Sequence, residues 1–253
     1  MNESPAPLSG QCVLITGGAK RVGAAIAREL HHAGANLVVH YRGSAQAALG
    51  LAAELEARRA GSVATVAADL LDVAALPALV EAALARFGRL DVLVNNASSF
   101  YPTPVGTISL AQWEDLLGTN LRAPLFLAQA ATPALSAARG SILNLIDIHA
   151  LRPLRRHPVY CAAKAGLAML TRSLARELGP EVRVNGVAPG AIIWPEDAAW
   201  SNEAERARII AQTSLQRVGD PDDIARAVCF LVGDAPYVTG QILAVDGGRS
   251  INL

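Results

Sequence analysis

Short apolar runs rich in β-branched residues alternate with longer segments of helical spacing along the whole chain, and this rhythm constrains the fold more than any other feature. The runs are CVLIT (12–16), NLVVHY (36–41), SVATVAA (62–68), DVLVNN (91–96), SILNLID (141–147), VRVNGVA (182–188) and QILAVDG (241–247). Each reads as a strand buried on both faces, because it lacks the polar alternation of a half-exposed one. Helical apolar spacing fills 22–33, 45–60, 74–87, 110–135, 160–178 and 221–231. Parallel strands need crossovers of about this length, and such crossovers are right-handed. The expected architecture is α/β: a single-domain Rossmann fold, with a doubly wound seven-stranded parallel sheet and helices on both faces. No repeat or linker divides 1–253, so a single domain is expected. The rhythm breaks between Pro189 and about Leu215, where Pro, Gly and Trp precede a short polar helix candidate. Ligands of open α/β sheets bind beyond the carboxyl ends of the strands, so this insertion, at about 190–215, reads as a substrate lid.

Charge and composition narrow the partners. Twenty-two Lys and Arg balance 22 Asp and Glu, which favours neither nucleic acid nor an anionic membrane surface. No segment approaches the ~20 apolar residues of a membrane span, and the start MNESPAPLSGQ lacks the apolar core of a leader. A cytoplasmic protein with a small-molecule substrate is expected. Cys12, Cys161 and Cys229 show no CxxC spacing and read as buried thiols. The five histidines form no HExxH pattern, so no metal is expected.

The first strand runs into TGGAKRVG (16–23) and a helix. Gly17 and Gly23 would let a pyrophosphate approach main-chain amides at the positive helix end, beside Val22. The usual dinucleotide turn has glycine where this chain has Arg21, which adds charge beside the phosphates. At the end of the second strand stand His40, Tyr41, Arg42, Gly43 and Ser44, with no carboxylate to accept hydrogen bonds from an adenosine ribose. Donors in that place suit a 2′-phosphate, and so NADPH. Asp69 and Leu70 follow the third strand where an adenine would lie, and Asn96, Ala97 and Ser98 close the fourth.

Tyr160 and Lys164 stand at i and i+4 of a helix, on one face. An ammonium one turn away is expected to lower the phenol's pKa from ~10 and make it a usable proton donor. Alone, YxxxK is common and would describe an exposed helical pair. Following five strands of nucleotide-binding pattern, it reads as catalytic.

The TGxxxRxG turn, NNAS (95–98), the helical Asn120, YxxxK, Pro189-Gly190 and the terminal VTGQILAVDGG together resemble the short-chain dehydrogenase/reductase family over nearly the whole chain. In that family a serine ordinarily stands thirteen residues before the tyrosine; here the residue is Asp147. With TGGAKRVG, HYRGS (40–44), NASSF (96–100) and DIHA (147–150), the sequence looks like the pteridine reductase branch. That resemblance implies reduction of ring C=N bonds of a pterin, dihydropterin or folate by NADPH. It implies Tyr160 as proton donor, Lys164 binding the nicotinamide ribose, Asp147 bonding Tyr160 or relaying its proton, and Asn120 supporting Lys164 through water. Phe100 would stack on the pterin, Ser98 would meet its polar edge, and Trp194 would lie in the lid. Pro189, Gly190 and Ile192 would shape the nicotinamide pocket. Family members are commonly homotetramers paired through 110–135, 160–178 and the last strand.

Each of these residues also has an ordinary use: Phe100 as core, Asn120 as a polar helix residue, Asp147 as a turn or helix cap. Two other functions fit the same chain. One is an NADPH-dependent carbonyl or 3-oxoacyl reductase that tolerates Asp147, and the other is a dinucleotide-binding regulatory protein without chemistry.

Overall fold

The computed structural model describes residues 6–194 and 202–252. Strands β1 (Cys12–Ile15), β2 (Asn36–Tyr41), β3 (Val63–Ala67) and β4 (Val92–Asn95) alternate with helices α1 (Arg21–His32), α2 (Ala45–Glu56) and α3 (Leu76–Phe87). After α4 (Leu110–Leu117) and α5 (Ala123–Ala138) come β5 (Ser141–Leu145), α6 (Pro158–Leu178) and β6 (Arg183–Pro189). Helices α7 (Glu203–Ala211) and α8 (Pro221–Cys229) precede β7 (Ile242–Val245). The seven strands form one sheet in the order β3-β2-β1-β4-β5-β6-β7, and all neighbours are parallel. Chain order reverses between β1 and β4, which opens a crevice at their carboxyl ends.

The continuous apolar strands are explained by cores on both faces. Val13 and Ile15 of β1 pack with Ile26 and Leu30 of α1 and with Ile224 and Val228 of α8. Their neighbours Cys12 and Leu14 point the other way, into a core holding Leu79 of α3 and Leu127 of α5. Each fully buried leucine or isoleucine contributes about 1.5–3 kcal/mol of transfer free energy. Central strands with two such faces have no place for a polar alternation. Cys12 is fully buried, whereas Cys161 and Cys229 are only half-buried, so one of the three thiols meets its expectation.

The segment 110–135 departs from the single expected helix. Between α4 and α5 lies a π-helical turn, Gly118–Arg122, which carries Asn120. Such an extra residue re-aims a side chain within a continuous helix and is frequent at functional sites. The insertion at about 190–215 contains α7, capped by Asn202 Oδ1, which accepts from the amides of Ala204 (2.9 Å) and Glu205 (3.3 Å). Its stretch 195–201 lies outside the described residues. Among the described residues no helix is long and apolar enough to cross a membrane. No group of three or more His, Cys, Asp or Glu among them could hold a metal ion.

Candidate active site

A cleft of about 800 Å³ runs along the carboxyl ends of the central strands. Its cofactor end is built from close backbone packing. Thr16 Oγ1 accepts from the amides of Asn96 (3.0 Å) and Ala97 (3.1 Å), while Asn96 Nδ2 donates to the carbonyls of Thr16 (2.9 Å) and Gly17 (3.0 Å). These bonds lock the end of β4 to the glycine turn. Gly17 has φ +61°, in the left-handed region, and a Cβ there would lie 3.0 Å from Ala97 Cα. A Cβ on Gly23 would overlap the Gly17 carbonyl oxygen and lie 2.6 Å from Asn96 Nδ2. The resulting cradle leaves bare main chain at the start of α1, the arrangement that receives a pyrophosphate.

Gly17, Arg21, Val22 and Gly23 all line the cleft. Arg21, a non-glycine residue at φ 52°, sends Nη2 to the carbonyls of Ile193 (3.3 Å) and Trp194 (3.2 Å), tying the turn to the start of the insertion. Arg42, Gly43, Ser44, Asp69 and Leu70 line the cleft beyond the ends of β2 and β3. Arg42 is exposed and makes no hydrogen bond or ion pair to a described residue. Asp69 Oδ1 closes a turn by accepting from the Leu71 amide at 3.0 Å.

Two expectations here need correction. His40 lines the cleft but is no free donor to a phosphate: buried, its Nδ1 accepts from the Gly17 amide at 3.1 Å and its Nε2 faces the Ala68 carbonyl at 3.1 Å. Those partners require neutral imidazole with the proton on Nε2, and burial holds its pKa below the usual histidine value. His40 braces the glycine turn. Tyr41, the next residue on the strand, does not line the cleft, as the alternation of a pleated strand dictates.

At the other end the cleft is built from buried charge. Asp147 follows β5 and caps the 3₁₀ turn Ile148–Ala150, its Oδ1 accepting from the His149 amide at 2.8 Å. Its Oδ2 accepts from the Tyr160 hydroxyl at 2.7 Å. The ordinary and the functional readings of Asp147 both hold, one oxygen each. Tyr160 sits in the first turn of α6, and one turn on the buried Lys164 donates from Nζ to the Leu145 carbonyl at 2.9 Å, 5.7 Å from the Tyr160 ring centre. Burial, and then the charge of Asp147, hold the Tyr160 phenol well above its usual pKa. Burial pushes Lys164 down to about 8. The expected lowering of the phenol by Lys164 is therefore not found: these protein groups keep Tyr160 protonated.

Asn120, presented by the π turn, donates from Nδ2 to the carbonyls of Ser99 and Leu116, both at 2.9 Å, and its Oδ1 accepts from Ser98 Oγ at 2.6 Å. Its direct role is to hold the NNAS loop, and Lys164 is not among its partners. Phe100 borders the cleft with its ring stacked on His157 at 4.8 Å and edge-on to Tyr160 at 4.8 Å. His157 was not foreseen, and it fixes the plane of that ring. Trp194, at the start of the insertion, lines the cleft with the Arg206 guanidinium 5.2 Å from its ring centre. Pro189 ends β6, and Gly190 is required where a Cβ would fall 2.7 Å from Asp246 Cα. Ile192 packs buried beside them. His149 of the DIHA motif also lines the cleft, as do Leu154, Ile209 and Arg249, which no local motif singled out.

Comparison with known proteins gives a consistent picture. Residues 17–250 match the family model described as Enoyl-(Acyl carrier protein) reductase. The chain is 39% identical to pteridine reductase 1 of Leishmania tarentolae, over 94% of this chain and 96% of that one. It is 36% identical to a 3-oxoacyl-[acyl-carrier-protein] reductase of Staphylococcus aureus, over 93% and 96%. It is 34% identical to 3beta-hydroxysteroid dehydrogenase 1 of Eggerthella lenta, over 96% and 95%.

Proposed function

The chain belongs to the short-chain dehydrogenase/reductase family of oxidoreductases, whose members use NAD(P)(H), and on that premise we propose that it is an NADPH-dependent pteridine reductase. The observation that carries this reading is the 2.7 Å bond from Tyr160 to Asp147. A carboxylate in that place accepts, so it cannot donate to a substrate carbonyl as a hydroxyl would. It suits a reaction in which the phenol itself delivers a proton. NADPH, when bound, supplies hydride to the ring carbon of a C=N bond, and the nitrogen then needs one proton. Tyr160 gives that proton. Asp147 aims the hydroxyl, keeps the phenol protonated until the substrate nitrogen competes, and, being half-buried, returns a proton from solvent. Lys164, one turn away, offsets the negative charge left on the phenolate and would hold the nicotinamide ribose.

Ser98, Phe100 and Trp194 line the cleft, and on this reading the first two meet the polar edge and the face of a flat ring. The preference for NADPH over NADH rests on Arg42, which lacks a protein partner among the described residues, and on the absence of a carboxylate over 40–44. A cytoplasmic homotetramer fits the exposed Leu110 and Trp113 of α4, Leu125 of α5 and Met169 of α6, the helices that would pair, and light scattering tests it. The likeness to a 3-oxoacyl-[acyl-carrier-protein] reductase supports a second reading, reduction of 3-oxoacyl substrates. Oxidation of NADPH and NADH is to be followed with dihydrobiopterin, dihydrofolate, simple ketones and a 3-oxoacyl thioester. The pterin reading expects NADPH-dependent turnover of at least one pterin, and turnover of ketones or thioesters alone would overturn it.

A further inference from the structure

Arg249 opens the short turn Arg249–Ile251 after β7, is only 7% exposed, and lines the same cleft as Tyr160 and Asp147. Its Nε is buried without an acceptor, and its guanidinium makes no hydrogen bond or ion pair to any described residue. Three carboxylates are close enough to favour its charge: Asp147, Glu205 and Asp246. All three are spent elsewhere. Asp147 accepts from the His149 amide and the Tyr160 hydroxyl. Glu205 is paired with Arg208 at 2.6 Å, and Asp246 accepts from the amides of Gly248 (2.9 Å) and Ser250 (2.7 Å). Burial pulls the Arg249 pKa below its usual value, and the like charge of Arg208 pulls in the same direction. A guanidinium taken from water costs folding free energy unless acceptors replace the lost hydration, so buried charges are ordinarily paired. Among the described residues the cation has no acceptor.

We propose that Arg249 is a specificity-determining residue that binds a carboxylate of the substrate, so that the cleft selects pterins conjugated to an acidic side chain over pterins with neutral ones. Its planar fork of parallel N–H donors matches a carboxylate bidentately, which a lysine could not do. Arg249, Asp147 and Tyr160 line one cleft, so the anion seat and the proton donor face the same bound molecule. Leu154, Trp194 and Ile209 line the same cleft and offer apolar surface to an aromatic linker between ring and carboxylate. The choice of a pterin ring rests on the proposed function; the anion seat rests on Arg249 alone.

The test measures KM at saturating NADPH for dihydrofolate, dihydropteroate and dihydrobiopterin with wild type, R249M and R249K. R249M is expected to raise KM for dihydrofolate by about tenfold or more, the effect of losing a charge-assisted bidentate contact, with partial recovery in R249K and kcat little changed. Dihydrobiopterin, which carries no carboxylate, should stay within about threefold of wild type, since it cannot lose a charge-assisted contact it never makes. Dihydropteroate, whose carboxylate sits on the benzoyl ring where dihydrofolate has an amide, places the seat: a loss larger in dihydropteroate puts it at the benzoyl end, and a loss confined to dihydrofolate puts it at the glutamate. In parallel, p-aminobenzoylglutamate and its neutral diester are titrated calorimetrically into the NADPH-loaded protein, where only the acid should bind in an Arg249-dependent way. Arg249-dependent binding of this probe without turnover of any pterin would retain the anchor and remove the pterin reading. Pterin turnover with the same KM change for all three substrates, weaker NADPH binding, or an altered assembly mass with unchanged KM ratios would overturn the anchor.

Discussion

At the cofactor end of the cleft the working surface is main chain, shaped by residues that have no side chain to spare, whereas at the substrate end it is charge held in a dry setting. Gly17 and Gly23 leave a gap that a single methyl would fill. Asp147 and Lys164 flank Tyr160 while Arg249 lines the same cleft, and burial acts on both bases and on the phenol. The first end recognises by shape and fixed dipoles and needs no proton to move. The second trades desolvation for reactivity, so its failures should be chemical before they are structural.

Three measurements can break or sharpen that contrast. Tyr160→Phe should lower kcat by about 10³-fold, the range for removing a general acid, with NADPH affinity retained. Comparable loss of NADPH binding in fluorescence titration would show that the two ends are not separable. Gly23→Ala should weaken dinucleotide binding by about 10- to 100-fold, because overpacking a tight contact costs about 1–3 kcal/mol. An unchanged dissociation constant there would mean that the cradle is not the phosphate site. A third effect, read in stability rather than in activity, concerns Lys164, which stands near 8 in the folded chain against 10.5 as its ordinary value. Between those values the unfolded chain binds more protons, so stability should rise with pH, by up to about 1.4 kcal/mol per unit. Below 8 the penalty is fully present, and above 10.5 no further gain remains. Urea unfolding at several pH values should show this rise for the wild type and lose it in Lys164→Met; parallel curves would mean that Lys164 titrates as an ordinary lysine.

The same contrast governs what could be read from the sequence. The cofactor end is made of contiguous segments, each at the end of a strand, so TGGAKRVG and NNAS announce themselves locally. Even there, residue type did not disclose direction: His40 spends both ring nitrogens on backbone, and Tyr41 faces out of the cleft. The substrate end joins residues far apart in the chain. The thirteen-residue register of Asp147 and Tyr160 gained meaning only through a family resemblance, and the bond between them then appears in the structure. The π turn at Asn120 has no signature in apolar spacing, since one extra residue leaves the helical stripe readable on both sides. The sign of the Tyr160 shift depends on burial and on the distance to a carboxylate, neither of which a motif contains. Arg249 follows two glycines in a terminal turn, where sequence alone suggests a solvated surface charge.

The divided carboxylate of Asp147 has a consequence for how such a cleft can change over time. One oxygen closes the turn after β5 and the other orients the phenol, so loop geometry and chemistry hang on a single codon. Asparagine could serve the turn with its oxygen but would present a donor to a donor at the phenol, unless the tyrosine reversed its own bond. Serine brings one oxygen where two are used, and the turn and the tyrosine would have to share it. A drift from this residue toward the family's ordinary serine therefore requires compensating changes in the loop before it, rather than one neutral step.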